Sequence, residues 1–305
     1  MLTKSFLRNS KVLVLLLVML MLWIGGCKSD GTTEDIIETE IDNQIDSSAI
    51  TLIKFNNTLF SIPSPYQIAY LIKNQNISYN KDILNPYNMS SNYTNTFKKA
   101  LNMGVYGADL GYLNLYGQTP DAIQYFSTIK ILSQDLNMDN AFDKETMKSI
   151  ENNMSNIDSL MYIMSNSYRK IDEYLKDNGR ESDGVLILAG GWIESLYIMC
   201  QIALNNKDTE VIIRIGEQKH PLDNLIKILS PYYNNSDEYT ELIDSLIDLA
   251  YEFDGIDINY TYEEPVVDPE NKFSIINSKS ELIMSDQQLH TIIDKVEIIR
   301  KSIIG

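Results

Sequence analysis

Apolar positions recur along much of this chain at steps of three and four, the spacing of one face of an α-helix. In "TPDAIQYFSTIKILSQDL", Ala122, Phe126, Ile129, Leu132 and Leu136 line such a face, with Thr119 and Pro120 marking its start. "PSPYQIAYLIKNQ" carries the same signal: Ser64 as N-cap, Pro65 at the first helical position and Gln67 closing a capping box. Leu242, Leu246, Leu249 and Phe253 form the face of a helix that Asp254-Gly255 ends. Leu289, Ile292, Val296, Ile299 and Ile303 form that of a C-terminal helix opened by a Ser285/Gln288 capping box. The longest stripe is Met147, Ile150, Met154, Ile157, Met161, Met164, Tyr168, Ile171 and Leu175. With Asp143 as cap and Gly179 beyond its end, it predicts one helix on the order of 50 Å long. Such a stripe suits a coiled-coil dimer or a spine packed within its own chain. Methionine specifies register poorly, which favours the spine.

"VLILAGGWIESLYIMCQIAL" (Val185–Leu204) breaks the amphipathic rule, being apolar all round except for Glu194 and Gln201. Its length permits a membrane span, but helices apolar all round are also the central helices of large domains, the preferred reading. Gly190-Gly191 lets another backbone come close. "GVYGADLGY", with Gly104, Gly107, Ala108 and Gly111 on one helical face, is the expected neighbour. Glu194, buried on such a helix, needs a cation, because an unpaired buried charge is strongly unfavourable. Arg214 in "RIGEQK" is the candidate. A period-two pattern appears in "IDINYTY" (Ile256–Tyr262), a strand whose return partner is either "KFSII" or "ELIM" beyond the Pro265–Asn271 loop. The pattern as a whole predicts a mainly α protein, a multi-helix bundle-like domain with a small β-hairpin near its C-terminus, around residues 256–284.

The N-terminus belongs to a different physical regime. Lys4, Arg8 and Lys11 precede an unbroken apolar run from Val12 to Trp23, short of the ~20 residues a span needs. A charged start, a short apolar core and small residues before a cleavage point describe a secretory signal. Ile24-Gly25-Gly26-Cys27 resembles the bacterial lipobox. That resemblance implies cleavage before Cys27, a signal peptide of residues 1–26, and diacylglycerol and a further acyl chain (palmitate chemistry) on Cys27. More than one acyl chain holds a protein on a membrane where a single chain does not. Residues 28–48, "KSDGTTEDIIETEIDNQIDSS", carry one lysine and seven acids, too polar to bury a core, and read as a tether that reaches roughly 25 Å. Lys28 in place of Asp differs from the inner-membrane retention signal. The acidic run resembles, with the interruption Gly31-Thr32-Thr33, the surface-export signal of Bacteroidota lipoproteins. The expected organisation is therefore 1–26 signal, 27–48 lipidated tether, and 49–305 helical domain, held at the cell envelope and by resemblance at the outer membrane.

Charge narrows the partners. The chain has 25 Lys+Arg against 42 Asp+Glu, and losing Lys4, Arg8 and Lys11 with the signal takes its formal charge from −17 to −20. Such a surface repels phosphate backbones and anionic headgroups, so no nucleic acid is expected and the membrane is reached only through the N-terminal lipid. With Cys27 lipidated, Cys200 stands alone in an apolar stretch, without a disulfide or CxxC partner. Serine-hydrolase, P-loop and HExxH patterns are absent from the sequence. Glu217-x-x-His220 is half of a di-iron signature with no second copy and Pro221 beside it. "DLNMDNAFDKET" places Asp135, Asn137, Asp139 and Asp143 like a calcium loop, but Asn140 replaces the turn glycine and Thr146 the bidentate glutamate. Solvated acids between two helices are the preferred reading there. No cofactor is implied. The segments "FSIPSPYQIAYLIK", "YGADLGYLNLY", "AGGWIESLY" and "RIGEQK" resemble a group of Bacteroidota lipoproteins, a likeness that carries location but no catalytic residue. The leading expectation is a non-enzymatic, lipid-anchored binding or scaffold domain with an envelope protein partner. Its alternatives are a solute- or metal-binding receptor using the Glu194–Arg214 region or the Asp135 loop, and an enzyme with a nonstandard carboxylate site.

Overall fold

A computed structural model describes residues 52–55, 58–61, 77–138, 144–153, 173–206, 208–268, 273–275 and 279–305, with isolated positions between 153 and 173. The chain divides into two compact units, Met1–Ile45 and Asp46–Gly305, and the first lies wholly outside the described residues. Cys27, the tether and the Ser64–Gln67 helix start also lie outside them.

The second unit is mainly α. A short hairpin pairs β1 (Leu52–Phe55) with β2 (Thr58–Ser61). Then follow α1 (Thr96–Leu115), α2 (Thr119–Asp135), α3 (Lys144–Asn153), α4 (Glu181–Asn206), α5 (Thr209–Gly216), α6 (Lys219–Leu229) and α7 (Asp237–Asp254). A β segment holds β3 (Asp257–Thr261), β4 (Val266–Asp268), β5 (Phe273–Ile275) and β6 (Lys279–Ile283), and α8 (Asp286–Ile304) closes the chain.

The apolar Val185–Leu204 segment forms most of α4. It is long and apolar enough to cross a membrane, yet 83% of its most apolar stretch is buried against the protein itself. α1 lies across it, with every residue from Ala100 to Leu115 buried. The crossing is as close as backbones allow. A Cβ on Gly104 would sit 2.0 Å from the Ile187 carbonyl oxygen, and one on Gly190 would sit 1.9 Å from that of Leu101. The glycine pairing expected from sequence is thus the contact that seats α1 on α4, while α8 and the shorter α5 and α6 also pack on α4.

The amphipathic helices turn their predicted faces inward. Ala122, Phe126, Ile129, Leu132 and Leu136 of the α2 region are buried, as are Leu242, Leu246, Leu249 and Phe253 of α7. α2 counts Thr119 as its first residue and Gln118 as its cap, one position earlier than the sequence signal, within the ordinary fraying of helix ends. On α8, Ser285 Oγ accepts the Gln288 N–H and the Gln288 side chain accepts the Ser285 N–H, completing the capping box.

Two expectations need correction. The 50 Å helix does not form in one piece: α3 ends at Asn153 and Asn156 is not helical. Asn156 instead caps a new helical stretch, its Oδ1 accepting the Ser159 N–H at 3.0 Å. The cause is local, because "ENNMSNID" is dense in Asn and Ser, whose side chains compete for backbone bonds and favour caps over helix interiors. Ile150 and Leu175 of the stripe are buried, and Met154, Ile157, Met161, Met164, Tyr168 and Ile171 lie outside the described residues. For the strand, both candidate returns are used. "ELIM" supplies the partner of β3, with Ile258 opposite Leu282, while Phe273–Ile275 pairs with Val266–Asp268 further out. The two pairs form separate two-stranded sheets, with Thr261 opposite Lys279 in one and Val266 opposite Ile275 in the other. Leu282 anchors this β segment on α5: a Cβ on Gly216 would meet its Cδ1 at 2.2 Å.

Candidate functional site

Between α1, α4 and α8 the apolar core contains a polar cluster. Glu194 of α4 and Asp109 of α1 have no exposed surface, and Arg300 of α8 is buried with them. The guanidinium grips Glu194 with two bonds, Nε to Oε2 at 2.6 Å and Nη2 to Oε1 at 2.7 Å. That planar fork is the geometry for which arginine is suited and lysine is not. Nη2 also donates to the Ile83 carbonyl at 3.3 Å, and the guanidinium carbon lies 4.0 Å above the centre of the Tyr197 ring.

Asp109 joins the cluster from the other side. Its Oδ2 accepts the Asn85 N–H at 3.2 Å, and its carboxyl lies close enough to that of Glu194 for the two to interact. Burial first, and then the Glu194 carboxylate, hold the Asp109 carboxyl well above the usual range, against the opposing pull of Arg300. Burial works against the charge on Arg300, and the Glu194 carboxylate overcomes it, so the guanidinium is held more firmly charged than usual.

A shell of tyrosines surrounds the acids. Tyr106 Oη donates to the Pro86 carbonyl at 2.9 Å and lies 3.4 Å from Tyr93 Oη, which accepts the Asn85 side-chain amide at 3.0 Å. Tyr125 of α2 stands edge-on to both Tyr106 and Tyr87. Tyr79, Tyr112 and Tyr116 cluster one turn on, where Tyr112 Oη accepts the Asn80 N–H at 3.0 Å. The segment 77–93 has little regular structure beyond the 3-10 turns Lys81–Ile83 and Tyr87–Asn92, and these bonds fix it to the helices.

The sequence-derived partner of Glu194 is wrong: Arg214 lies elsewhere. It sits on the outer face of α5, bonded at 2.7 Å to Glu210 and at 2.7 Å to Glu217, one turn to either side. That short helix turns Val211 and Ile215 inward, which leaves Arg214 outside. Arg300 did give a signal. It occupies the same face of α8 as Ile293, Val296 and Ile303, where the stripe calls for an apolar residue. Asp109, set in the small-residue run "GVYGADLGY", gave a similar one.

Of the calcium-like set, Asp135 pairs with Lys99 at 2.8 Å. Asn137 takes the left-handed conformation (φ 54°) that asparagine tolerates, and its carbonyl accepts Tyr174 Oη at 3.1 Å. Asp139 and Asp143 lie outside the described residues. Among the described residues no group of His, Cys, Asp or Glu is placed to hold a metal ion. Trp192 is a packing residue whose Nε1 donates to Gln218 Oε1 at 3.1 Å. Cys200 is a buried free thiol, pushed well up by burial.

Chemically, the Asp109–Glu194–Arg300 cluster faces no solvent. Arg300 donates to Glu194 and to the Ile83 carbonyl while Asp109 accepts the Asn85 N–H, so the cluster ties α1, α4 and α8 to the backbone at residues 83 and 85. No family model, no curated protein and no solved structure matches the chain.

Proposed function

We propose that this protein is a lipid-anchored domain of the bacterial cell envelope, held by acylated Cys27 and working by binding an envelope protein rather than by catalysis. The β3–β6 segment supports the binding reading. It pairs only as two-stranded ladders among the described residues, and it presents Tyr262 (68% exposed), Val266 (57%) and Ile283 (51%) to the outside. Exposed apolar side chains beside unpaired strand edges are the ordinary material of protein recognition. The converging acids, by contrast, are consumed within the core, which leaves the carboxylate-enzyme alternative without an accessible pair there. A receptor site built on Glu194 and Arg214 has no such pair to use.

The test places a photo-crosslinking residue at Tyr262 in the acylated protein, in its own envelope, and identifies the products by mass spectrometry. A discrete envelope protein captured at Tyr262, and not from the equally exposed Tyr251 of α7, is the expected result. The same diffuse products at both positions would overturn the binding reading. The anchor is tested separately. Cys27→Ala should leave the protein unacylated and release or mislocalise it, whereas full membrane retention of an uncut precursor would sink that part.

A further inference from the structure

We propose that Asp109 and Glu194 share one buried proton, so that the core carries a neutral acid, a carboxylate and a guanidinium instead of two anions facing one cation. The first ground is the charge count. Two acids without exposed surface meet a single arginine, and both oxygens of Glu194 already accept from it. The second is an orphan. Asp109 Oδ1 is buried and, as a bare carboxylate oxygen, has no donor in the structure, while its twin Oδ2 accepts from Asn85. A buried acceptor left unmade is costly. A proton on the Asp109 carboxyl removes the second anion and gives the acid a donor to share with the neighbouring Glu194 carboxylate, as paired buried carboxyls do when they cannot both ionise.

The surroundings give the proton no rival explanation. Facing the pair are Tyr79 and Tyr93 from segment 77–93, Tyr106 from α1, Tyr125 from α2, Tyr197 from α4, and Arg300 from α8. Burial raises every one of these tyrosines, which keeps them neutral at neutral pH. The charges beyond them are mixed: Asp82 and Asp121 lie past Tyr79, and Glu297 and Lys301 past Tyr197. Arg300 is the only full cation bonded to the acids among the described residues. The proton is held at neutral pH in this proposal, and rising pH is what removes it. Its loss would put an uncompensated anion at the point where α1, α4, α8 and segment 77–93 meet. The cluster is in this sense a pH-sensitive latch on that segment.

Infrared spectroscopy of the full chain at neutral pH tests the proposal, with Asp109→Asn as the reference. The wild-type-minus-variant spectrum should contain the carbonyl stretch of a protonated carboxylic acid, and Glu194→Gln should weaken that band by removing the anion that opposes ionisation of Asp109 beside Arg300. Wild type without a protonated-acid band, or a band unchanged by Asp109→Asn, would overturn it. If Asp109→Asn does not fold, wild type alone decides, because denaturation at neutral pH must release about one proton to an indicator dye. No release would overturn the proposal equally.

Discussion

Truncating Glu194 to alanine would take both bonded carboxylate oxygens from Arg300, its guanidinium left with the Ile83 carbonyl, the Tyr197 face and Asp109 as the one nearby acid. Breaking a buried pair from one side costs ~3–5 kcal/mol when the remaining charge is uncompensated, and ionisation of Asp109 beside Arg300 should hold the loss to the lower end of that range. Glu194→Gln keeps the shape and an acceptor, so its denaturant midpoint should fall between alanine and wild type. Arg214→Ala should move the midpoint by no more than ~1 kcal/mol, since its two glutamates are half-exposed helix neighbours. A variant series in which Arg214 matters more than Arg300 would contradict the structure. Cys200 offers a simpler check. Its thiol is fully buried and pushed up, so a thiol reagent should label the native protein at the rate of unfolding and the denatured protein at once. Legibility was uneven at this scale. That Glu194 needed a cation followed from its setting on an all-apolar helix. Which cation did not follow, because sequence proximity to Arg214 says nothing about which face of α5 meets α4. The better clue was a charge standing in an apolar stripe, as Arg300 does on α8.

Elements were more legible than single partners, because periodicity reports a face and a face is what packs. α2, α7 and α8 bury the predicted stripes, and the small residues of "GVYGADLGY" and "AGG" meet where they should. The long stripe from Met147 misled for a physical reason: periodic apolar residues continue across a helix break when the break is made by Asn and Ser between them. Three substitutions test this scale. Gly104→Ala places a methyl against backbone atoms of α4 that cannot rotate away, so its cost should reach or exceed the upper end of the ~1–3 kcal/mol typical of overpacking. Gly117→Ala would touch nothing but must hold φ +65°, so strain alone should make it much milder. Ser285→Ala removes the cap of α8 and should cost ~1 kcal/mol, read as a shift in denaturant midpoint with an unchanged slope.

For the whole molecule, the buried acid and the buried tyrosines make the same demand on pH. Asp109 is raised above its unfolded value, so the stability it supplies is complete below ~4 and is lost as pH rises through its folded value. The tyrosines behave alike at higher pH. Burial pushes Tyr79 and Tyr239 up to about 12, and raises Tyr106, Tyr116 and Tyr125 further still. Their share is intact below ~10, where unfolded tyrosine begins to ionise, and is lost above it. The protein should therefore be more tolerant of mild acid than of alkali, and it should unfold cooperatively on the alkaline side. Phenolate absorbance and helical circular dichroism should change together in that transition. Gradual titration that extends beyond exposed rings such as Tyr251 and Tyr262 to the full tyrosine complement, while the helix signal holds, would show that the rings are not buried as described.

Arg300 follows Glu194 by 106 residues along the chain. At ~5–20 residues per second, a ribosome delivers the cation on the order of 5–20 s after the acid. Throughout that interval α1 can seat on α4 through its glycine contacts, but the Glu194 carboxylate between them has no cation. The arrangement makes completion of the core a late event in synthesis. Under the proposed export of this chain to the envelope, a core that cannot close early is also one that stays threadable.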